Sequence, residues 1–372
     1  MAKIIIDARE YGATGTGTYL KYLLDNLQRI DSHNSYTVLL KPKDIDGFKP
    51  FNKHFKKLAC PYKEFTFSEQ IGLWKQLHDL KPDLVHFSMV QQPILYQGKV
   101  ATTMHDLTTV RFRNPSKNWL IFTLKQQVYK FVNYWAAHKS SAIFTPSEFV
   151  KDDVARYTRI NSRKITVTYE GADELSAKAE PYQELEGKEF IMYVGRPLPH
   201  KNLERLIDAF ADLRQQNPSL RLVLAGKQDT LFRRLERQSQ IKGVKNIIFT
   251  GYVSDGQLRW LYEHTAAYVF PSLSEGFGLP GLEAMMHGAP VVSSNATCLP
   301  EVYKDAVIYF NPLDVAEMSA SIQKVLNDNE LRKRLIKRGH ALVNTYSWAR
   351  MSEQTFAVYQ KILESAPDNP SG

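Results

Sequence analysis

The run Ala266-Ala267-Tyr268-Val269-Phe270-Pro271-Ser272-Leu273-Ser274-Glu275-Gly276-Phe277-Gly278-Leu279-Pro280-Gly281-Leu282-Glu283-Ala284-Met285-Met286 decides how this chain folds. Its first five residues are apolar throughout, as a strand covered on both faces should be. Its last three read as helix. Between them, glycines open dihedrals that other residues avoid, and Pro280 suits a first helical position, where its missing N–H costs nothing. Strand, glycine turn and helix in that order make half of a βαβ unit. A helix start of this kind aims backbone N–H groups at an anion such as phosphate. Glu275 stands just before the predicted helix and Glu283 in its predicted first turn. Carboxylates are poor ligands for phosphate and good acceptors for hydroxyls, so the pair points to a phosphate surrounded by hydroxyls, as in a nucleotide sugar.

The same alternation extends outward over the chain. Short apolar runs at 3–8, 36–40, 57–60, 84–88, 100–105, 142–146 and 164–169 read as strands of one parallel sheet. Those at 190–195, 220–225, 246–250, 266–271, 290–293 and 306–310 read as strands of a second. Helical periodicity is clearest over 18–29, 119–138, 203–216, 315–327 and 330–346. A polar stretch from Glu170 to Lys188, holding Gly171, Pro181 and Gly187, reads as a linker. The fold class is therefore α/β: two doubly wound, Rossmann-like domains facing a central cleft, over 1–172 and 188–346. The residues from Ser365 onward read as a disordered tail. A chain of 372 residues suits two cores better than one.

Composition narrows the partners. The formal charge is +9, with the basic residues scattered and not in a run. That balance fits an anionic membrane surface or a phosphorylated substrate, and no motif for specific nucleic-acid binding accompanies it. Cys60 and Cys298 lie far apart, which excludes a disulfide framework and gives no metal-ligand spacing, so no metal is expected. Neither a signal peptide nor a spanning helix is expected, and a cytoplasmic protein, peripheral at most to the inner face of a membrane, follows.

Three further stretches carry candidate chemistry. Gly12-Ala13-Thr14-Gly15-Thr16-Gly17 follows the first strand; it is either a close approach to a ligand or a flexible turn. His105-Asp106 stands at a strand tip, where polar residues meet ligands in this architecture, although a histidine satisfied by its own structure fits equally. Gly195-Arg196-Pro197-Leu198-Pro199-His200-Lys201-Asn202 again joins strand to helix; its two cations, Arg196 and Lys201, suit a diphosphate. In 118–139 aromatics (Trp119, Phe122, Tyr129, Phe131, Trp135) interleave with Lys125, Lys130 and Lys139. That pattern reads as a core helix with lysines on its outer face, and otherwise as a membrane-surface helix.

Taken together, these motifs resemble those of retaining nucleotide-sugar glycosyltransferases with the GT-B fold, in particular the large family numbered four. The likeness adds Ala225-Gly226-Lys227, Gly251-Tyr252-Val253 and Leu299-Pro300-Glu301-Val302 to the stretches above and covers almost the whole chain. It implies that Arg196 and Lys201 meet the donor diphosphate. It implies that Glu283 accepts from the ribose hydroxyls and that Glu275 contacts the donor sugar. His105 would approach that sugar, and Gly15 and Gly17 would lie near the diphosphate. Backbone N–H groups in the stretch Gly276, Phe277, Gly278 and Leu279 would reach the phosphates, and Tyr252 and Val253 would border the base. Residues 347–366, beginning Ser347-Trp348-Ala349-Arg350, match the family's last helix, which packs back on the first domain. The run Ser293-Ser294-Asn295-Ala296-Thr297-Cys298 departs from the usual polar run before Leu-Pro-Glu.

The expected reaction is transfer of a hexose from a nucleoside diphosphate sugar with retention, without metal or cofactor. Mannose from GDP-mannose is the first expectation, through a looser likeness to O-antigen mannosyltransferases, and the acceptor would be a lipid-linked glycan of a surface polysaccharide. UDP- or dTDP-linked rhamnose, glucose or GlcNAc, a GT-B-like epimerase, and a non-catalytic sugar-nucleotide binder are the alternatives.

Overall fold

Thirteen strands form two all-parallel sheets in the computed structural model, which describes residues 1–112 and 119–365. The first sheet holds β1 (Lys3–Asp7), β2 (Ser35–Leu40), β3 (Phe55–Ala59), β4 (Leu84–Phe87), β5 (Val100–Thr103), β6 (Ala142–Thr145) and β7 (Ile165–Val167), in the order β3-β2-β1-β4-β5-β6-β7. The second holds β8 (Phe190–Val194), β9 (Arg221–Ala225), β10 (Ile247–Gly251), β11 (Ala267–Phe270), β12 (Val291–Ser294) and β13 (Val307–Phe310), in the order β10-β9-β8-β11-β12-β13. Each is a doubly wound sheet whose order reverses once, at β1/β4 and at β8/β11. Loops leaving the carboxyl ends of the two strands at such a reversal open a crevice where ligands bind.

Helices cover the sheets. In the first half of the chain these are α1 (Thr16–Ile30), α2 (Trp74–Leu80), the short α3 (Thr108–Arg111), α4 (Trp119–Lys139) and α5 (Glu148–Thr158). In the second they are α6 (Leu203–Gln216), α7 (Thr230–Ile241), α8 (Asp255–His264), α9 (Leu279–Met286), α10 (Leu299–Tyr303), α11 (Val315–Asn327) and α12 (Asn329–Val343). The last helix, α13 (Trp348–Glu364), returns to the first unit and packs along α1. Ser347 caps it by accepting from the Arg350 N–H at 3.4 Å. Trp348 stacks on Tyr22 with ring centroids 4.9 Å apart.

Local details differ from the sequence reading. The strand tips are shorter: β5 stops at Thr103 and β7 at Val167, although the next N–H groups, of Met104 and Thr168, still donate to the Phe144 and Thr145 carbonyls of β6 at 2.9 Å. A π-helical turn, Glu69–Leu73, precedes α2 and was not legible from periodicity. The stretch read as a linker is laid down on the second unit. Glu180 accepts from the Ser254 hydroxyl at 2.9 Å, and Arg259 Nη1 donates to the Leu175 carbonyl at 3.0 Å. Glu170, its first residue, is buried in the first unit instead. Residues 366–372 of the expected tail, and Asn118, lie outside the described residues, as do the side chains of Trp119 and Phe122.

In α4 the expected division of lysines to the outside holds for the exposed Lys125, leaves Lys130 half-buried and is corrected at Lys139. Val132, Ala136 and Ala137 face the core, while Val128, Phe131 and Tyr134 are exposed. Lys139 is drawn inward, with its ammonium 4.6 Å from the Trp135 ring centroid and 5.2 Å from that of Tyr96. Among the described residues its Nζ has no hydrogen-bond partner. Burial pushes this amine down to about 8. Unfolding restores proton affinity, so between pH 8 and the ordinary 10.5 the unfolded chain holds more protons and stability rises with pH. Lys139→Met is expected to abolish that rise and to stabilise the fold at pH 7. Urea unfolding at pH 7, 9 and 10 checks this, and equal pH slopes for both proteins would refute it.

Candidate active site

The second unit's crevice is built by two neighbouring strands. Because β8 pairs with β11 (Ala267↔Ile191, Tyr268↔Met192), the loop after each strand emerges beside the other. Gly195 to Asn202 leaves β8, and Pro271 to Gly278 leaves β11. Lys201, in a 3-10 turn (Pro199–Lys201), reaches across this junction, and its Nζ lies 2.6 Å from Glu275 Oε1. The two side chains are 19% and 12% exposed, so the ion pair is sheltered and still open to a ligand. Asn202 takes a left-handed conformation and anchors the loop by donating to the carbonyls of Pro271 and Pro312 at 3.0 and 2.7 Å.

Arg196 does not join that pair. Its Nε donates to Asp229 Oδ2 at 2.5 Å, and its side chain is about half exposed. Asp229 also caps α7 by accepting from the N–H groups of Leu231 and Phe232. These interactions, opposing its partial burial, draw the Asp229 carboxyl below its ordinary range.

The glycine turn reads onto the structure with two corrections. Leu279 is the first residue of α9 and Pro280 the second, so Glu283 falls in the second turn and not the first. Gly278 caps the helix at φ +95, a backbone that side chains rarely adopt. Tyr303 explains why Gly281 is also fixed: its phenol donates to the Gly278 carbonyl at 2.5 Å, and a Cβ on Gly281 would sit 2.2 Å from the phenol oxygen itself. Phe277 turns its ring into the unit, edge-on to Tyr346 at 5.3 Å, leaving only backbone to meet a ligand. Gly276 is likewise buried and Leu279 half-buried.

Glu283 faces the Tyr262 phenol. Burial lifts its carboxyl from 4.5 to about 7, with Asp173 adding to the rise and Tyr262 opposing it. A carboxyl poised near neutrality in a crevice is a mark of a working group. Tyr252 is 82% exposed just past β10, beside the half-buried Val253, an open aromatic surface at the sheet's carboxyl edge.

In the first unit, Gly15 caps α1 at φ +66 and is exposed, while Gly17 is buried within the first turn. A Cβ on Gly17 would lie 2.6 Å from the Tyr11 carbonyl oxygen, so this glycine serves chain packing. His105 follows β5, with Nε2 donating to the Ser88 carbonyl at 3.2 Å and Nδ1 3.4 Å from Glu170 Oε1. The Tyr19 ring meets it edge-on at 4.9 Å. Behind lies a buried polar chain: Tyr19 to Thr103 at 3.0 Å, Thr103 to His86 at 2.8 Å and His86 to Tyr359 of α13 at 2.5 Å. Burial, helped by His105, pushes His86 down to about 3, so it is neutral at physiological pH.

Sequence reading missed a second buried cluster. Arg9 is paired with Asp7 and Glu69, both at 2.7 Å, and donates to the carbonyls of Tyr62 and Gln91. It ties the β1 tip to two other loops. The only signal in the sequence was an Asp-x-Arg at a strand end, which is too common to read.

The glycosyltransferase family 4 profile matches residues 13–174, and the glycosyl transferases group 1 profile matches 176–341. Together they take in every strand but β1, and the chain belongs to this family of glycosyltransferases. The serotype-specific mannosyltransferase WbdA of Escherichia coli is 35% identical over 254 residues, which is 63% of this chain and 30% of that protein. The chain thus matches under a third of that relative's length. The O-antigen chain mannosyltransferase RfbU of Salmonella typhimurium is 28% identical over 339 residues, 87% of this chain and 90% of that protein. Among solved structures, sucrose-phosphate synthase from Thermosynechococcus elongatus superposes with a TM-score of 0.77 at 18% identity, covering 98% of this chain and 100% of that one. That likeness confirms the GT-B fold.

Proposed function

We propose that this chain transfers a hexose from a nucleoside diphosphate sugar to an acceptor hydroxyl with retention of anomeric configuration, and that the donor is GDP-mannose. The observation that carries the reading is the meeting of Lys201 and Glu275 beside the start of α9, with Glu283 one turn further on. A cation and a helix start suit the diphosphate, which leaves as an anion; stabilising that charge is the largest catalytic contribution available. Glu275 would then accept from sugar hydroxyls and Glu283 from the ribose. Arg196 would turn from Asp229 to the phosphates. His105 would approach the sugar, and Tyr252 and Val253 would border the base. The mannosyl donor is inferred from the names of WbdA and RfbU, as is a glycan of O-antigen type as acceptor.

No metal is required in this reading, because protein cations neutralise the leaving group. Among the described residues, no group of three or more His, Cys, Asp and Glu is placed to hold one. Among the described residues, no helix is long and apolar enough to cross a membrane. The exposed Val128, Phe131 and Tyr134 of α4, on a chain of charge +9, support transient contact with an anionic bilayer and so with a lipid-linked acceptor.

The test is donor-dependent release of nucleoside diphosphate, with and without chelator, using GDP-mannose, UDP-glucose, UDP-GlcNAc and dTDP-rhamnose. The expected result is chelator-resistant GDP release and an α-linked product from the α-donor. Release only from another donor would replace mannose. An inverted product would remove retention, and epimerised sugar without transfer would remove the transferase reading. Binding without turnover would leave a non-catalytic carrier.

A further inference from the structure

Thr297 has φ +55, a left-handed conformation that a β-branched side chain adopts only under strain. Such strain persists where surrounding contacts over-determine it, and it concentrates at working sites. Thr297 lies in the loop after β12, and β12 is the neighbour of β11. That loop is stitched to the one carrying Glu275. Ser294 donates to the Ser272 carbonyl at 2.6 Å. The Glu275 N–H donates to Thr297 Oγ1 at 3.1 Å, and the Cys298 thiol donates to the Glu275 carbonyl at 3.3 Å. Both backbone polar groups of Glu275 are therefore held by consecutive side chains, while its carboxylate meets Lys201. Cys298 is fully buried, and burial pushes its thiol up, which keeps the proton that this bond needs.

We propose that Thr297 is a positioning residue for Glu275: the strained turn aims its hydroxyl at the Glu275 N–H and so fixes where the carboxylate meets the transferred sugar. Cys298 completes the clamp from the other side. The inference rests on the sugar-binding role given to Glu275 above. It accounts for a threonine where a glycine would relieve the strain, since glycine has no hydroxyl to offer.

The experiment compares Thr297→Gly and Thr297→Ser with the wild type by urea unfolding, hydrogen exchange at the Glu275 amide, and steady-state transfer. Thr297→Gly is expected to raise the unfolding midpoint, to expose the Glu275 amide to exchange, and to lower kcat by about tenfold, with KM for the donor within about twofold, since small misplacements of a reacting group are costly. Thr297→Ser keeps the hydroxyl and should retain both protection and turnover. Unchanged exchange in Thr297→Gly would overturn the clamp. Faster exchange with unchanged kcat would overturn its link to catalysis. A Thr297→Gly protein that is less stable and less active would overturn the strain argument. If the wild type turns over no donor, the functional reading fails by itself, and the exchange comparison still decides the clamp.

Discussion

Lys201→Ala is expected to lower kcat by about 10²–10³-fold while leaving a folded protein, the loss typical of removing one charge-stabilising group from a transition state. Lys201 is the cation held at the junction of the β8 and β11 loops, 2.6 Å from Glu275. In the proposed reading, a departing diphosphate would then keep only the α9 N-terminus and Arg196, which is engaged with Asp229 in the free protein. Lys201→Arg should retain more activity than alanine but not all, because a rigid planar fork does not replace a compact point charge on a flexible stem. Release of nucleoside diphosphate under donor saturation, with urea midpoints alongside, separates a lost contact from a lost fold. An alanine variant that is folded and turns over within a factor of three of the wild type would remove Lys201 from the diphosphate site.

Most of the architecture was legible because parallel strands covered on both faces leave an unambiguous trace. Runs such as Ile4-Ile5-Ile6, Leu222-Val223-Leu224 and Tyr268-Val269-Phe270 are buried to within a few per cent of completely, and their separation by helical segments dictates βαβ order. What periodicity could not supply is the end of each element. His105 and Glu170 both read as termini of longer strands or as the start of a linker. Their placement depends on where neighbouring strands stop, which is a property of the sheet and not of either residue. The π-helical turn before α2 is similar: Glu69 is held there by Arg9, 60 positions away.

The candidate site was legible residue by residue but not as a set of contacts. Glu275, Glu283 and Lys201 announced themselves by type and spacing beside glycines and a proline. That Lys201 pairs with Glu275 follows from β8 and β11 being neighbours, and a strand order that reverses cannot be read from one sequence. The turn of Arg196 toward Asp229, the burial of Phe277, and the packing role of Gly17 against the Tyr11 carbonyl were equally hidden. Thr297 stood out only as part of a run that departs from the usual one before Leu-Pro-Glu, because what marks it is a backbone dihedral and not its side-chain class.

Glu283→Gln is expected to make the protein more stable and a poorer donor binder, and both changes should depend on pH. In the folded state burial lifts the Glu283 carboxyl to about 7, against an ordinary 4.5. Between these values the folded chain binds more protons than the unfolded one, so the group's stabilising contribution is complete below pH 4.5 and is lost as pH rises through 7. At pH 8 the buried carboxylate costs on the order of 3 kcal/mol, an upper figure for a group that relaxation and water will partly relieve. Glutamine carries no such charge. Its stability advantage should therefore be near zero at pH 4.5, grow through pH 6 and 7, and level off by pH 8. Binding runs the other way. A ribose hydroxyl bonded to a carboxylate gains about 1.5–3 kcal/mol, so the amide should weaken GDP by roughly 10- to 100-fold at pH 8. In the wild type, GDP affinity should fall as pH drops below 7, approaching tenfold per unit, while in Glu283→Gln it should be flat over the same range. Urea unfolding and calorimetric GDP titrations at pH 5.5, 7 and 8 measure both limbs. A stability difference that does not change with pH would deny the elevated carboxyl, and a GDP affinity indifferent to the substitution would deny its contact with the ribose. The opposed signs would follow from one cause: a carboxylate kept in a buried place costs the empty protein stability, and in the proposed reading the donor's hydroxyls would be what satisfies it.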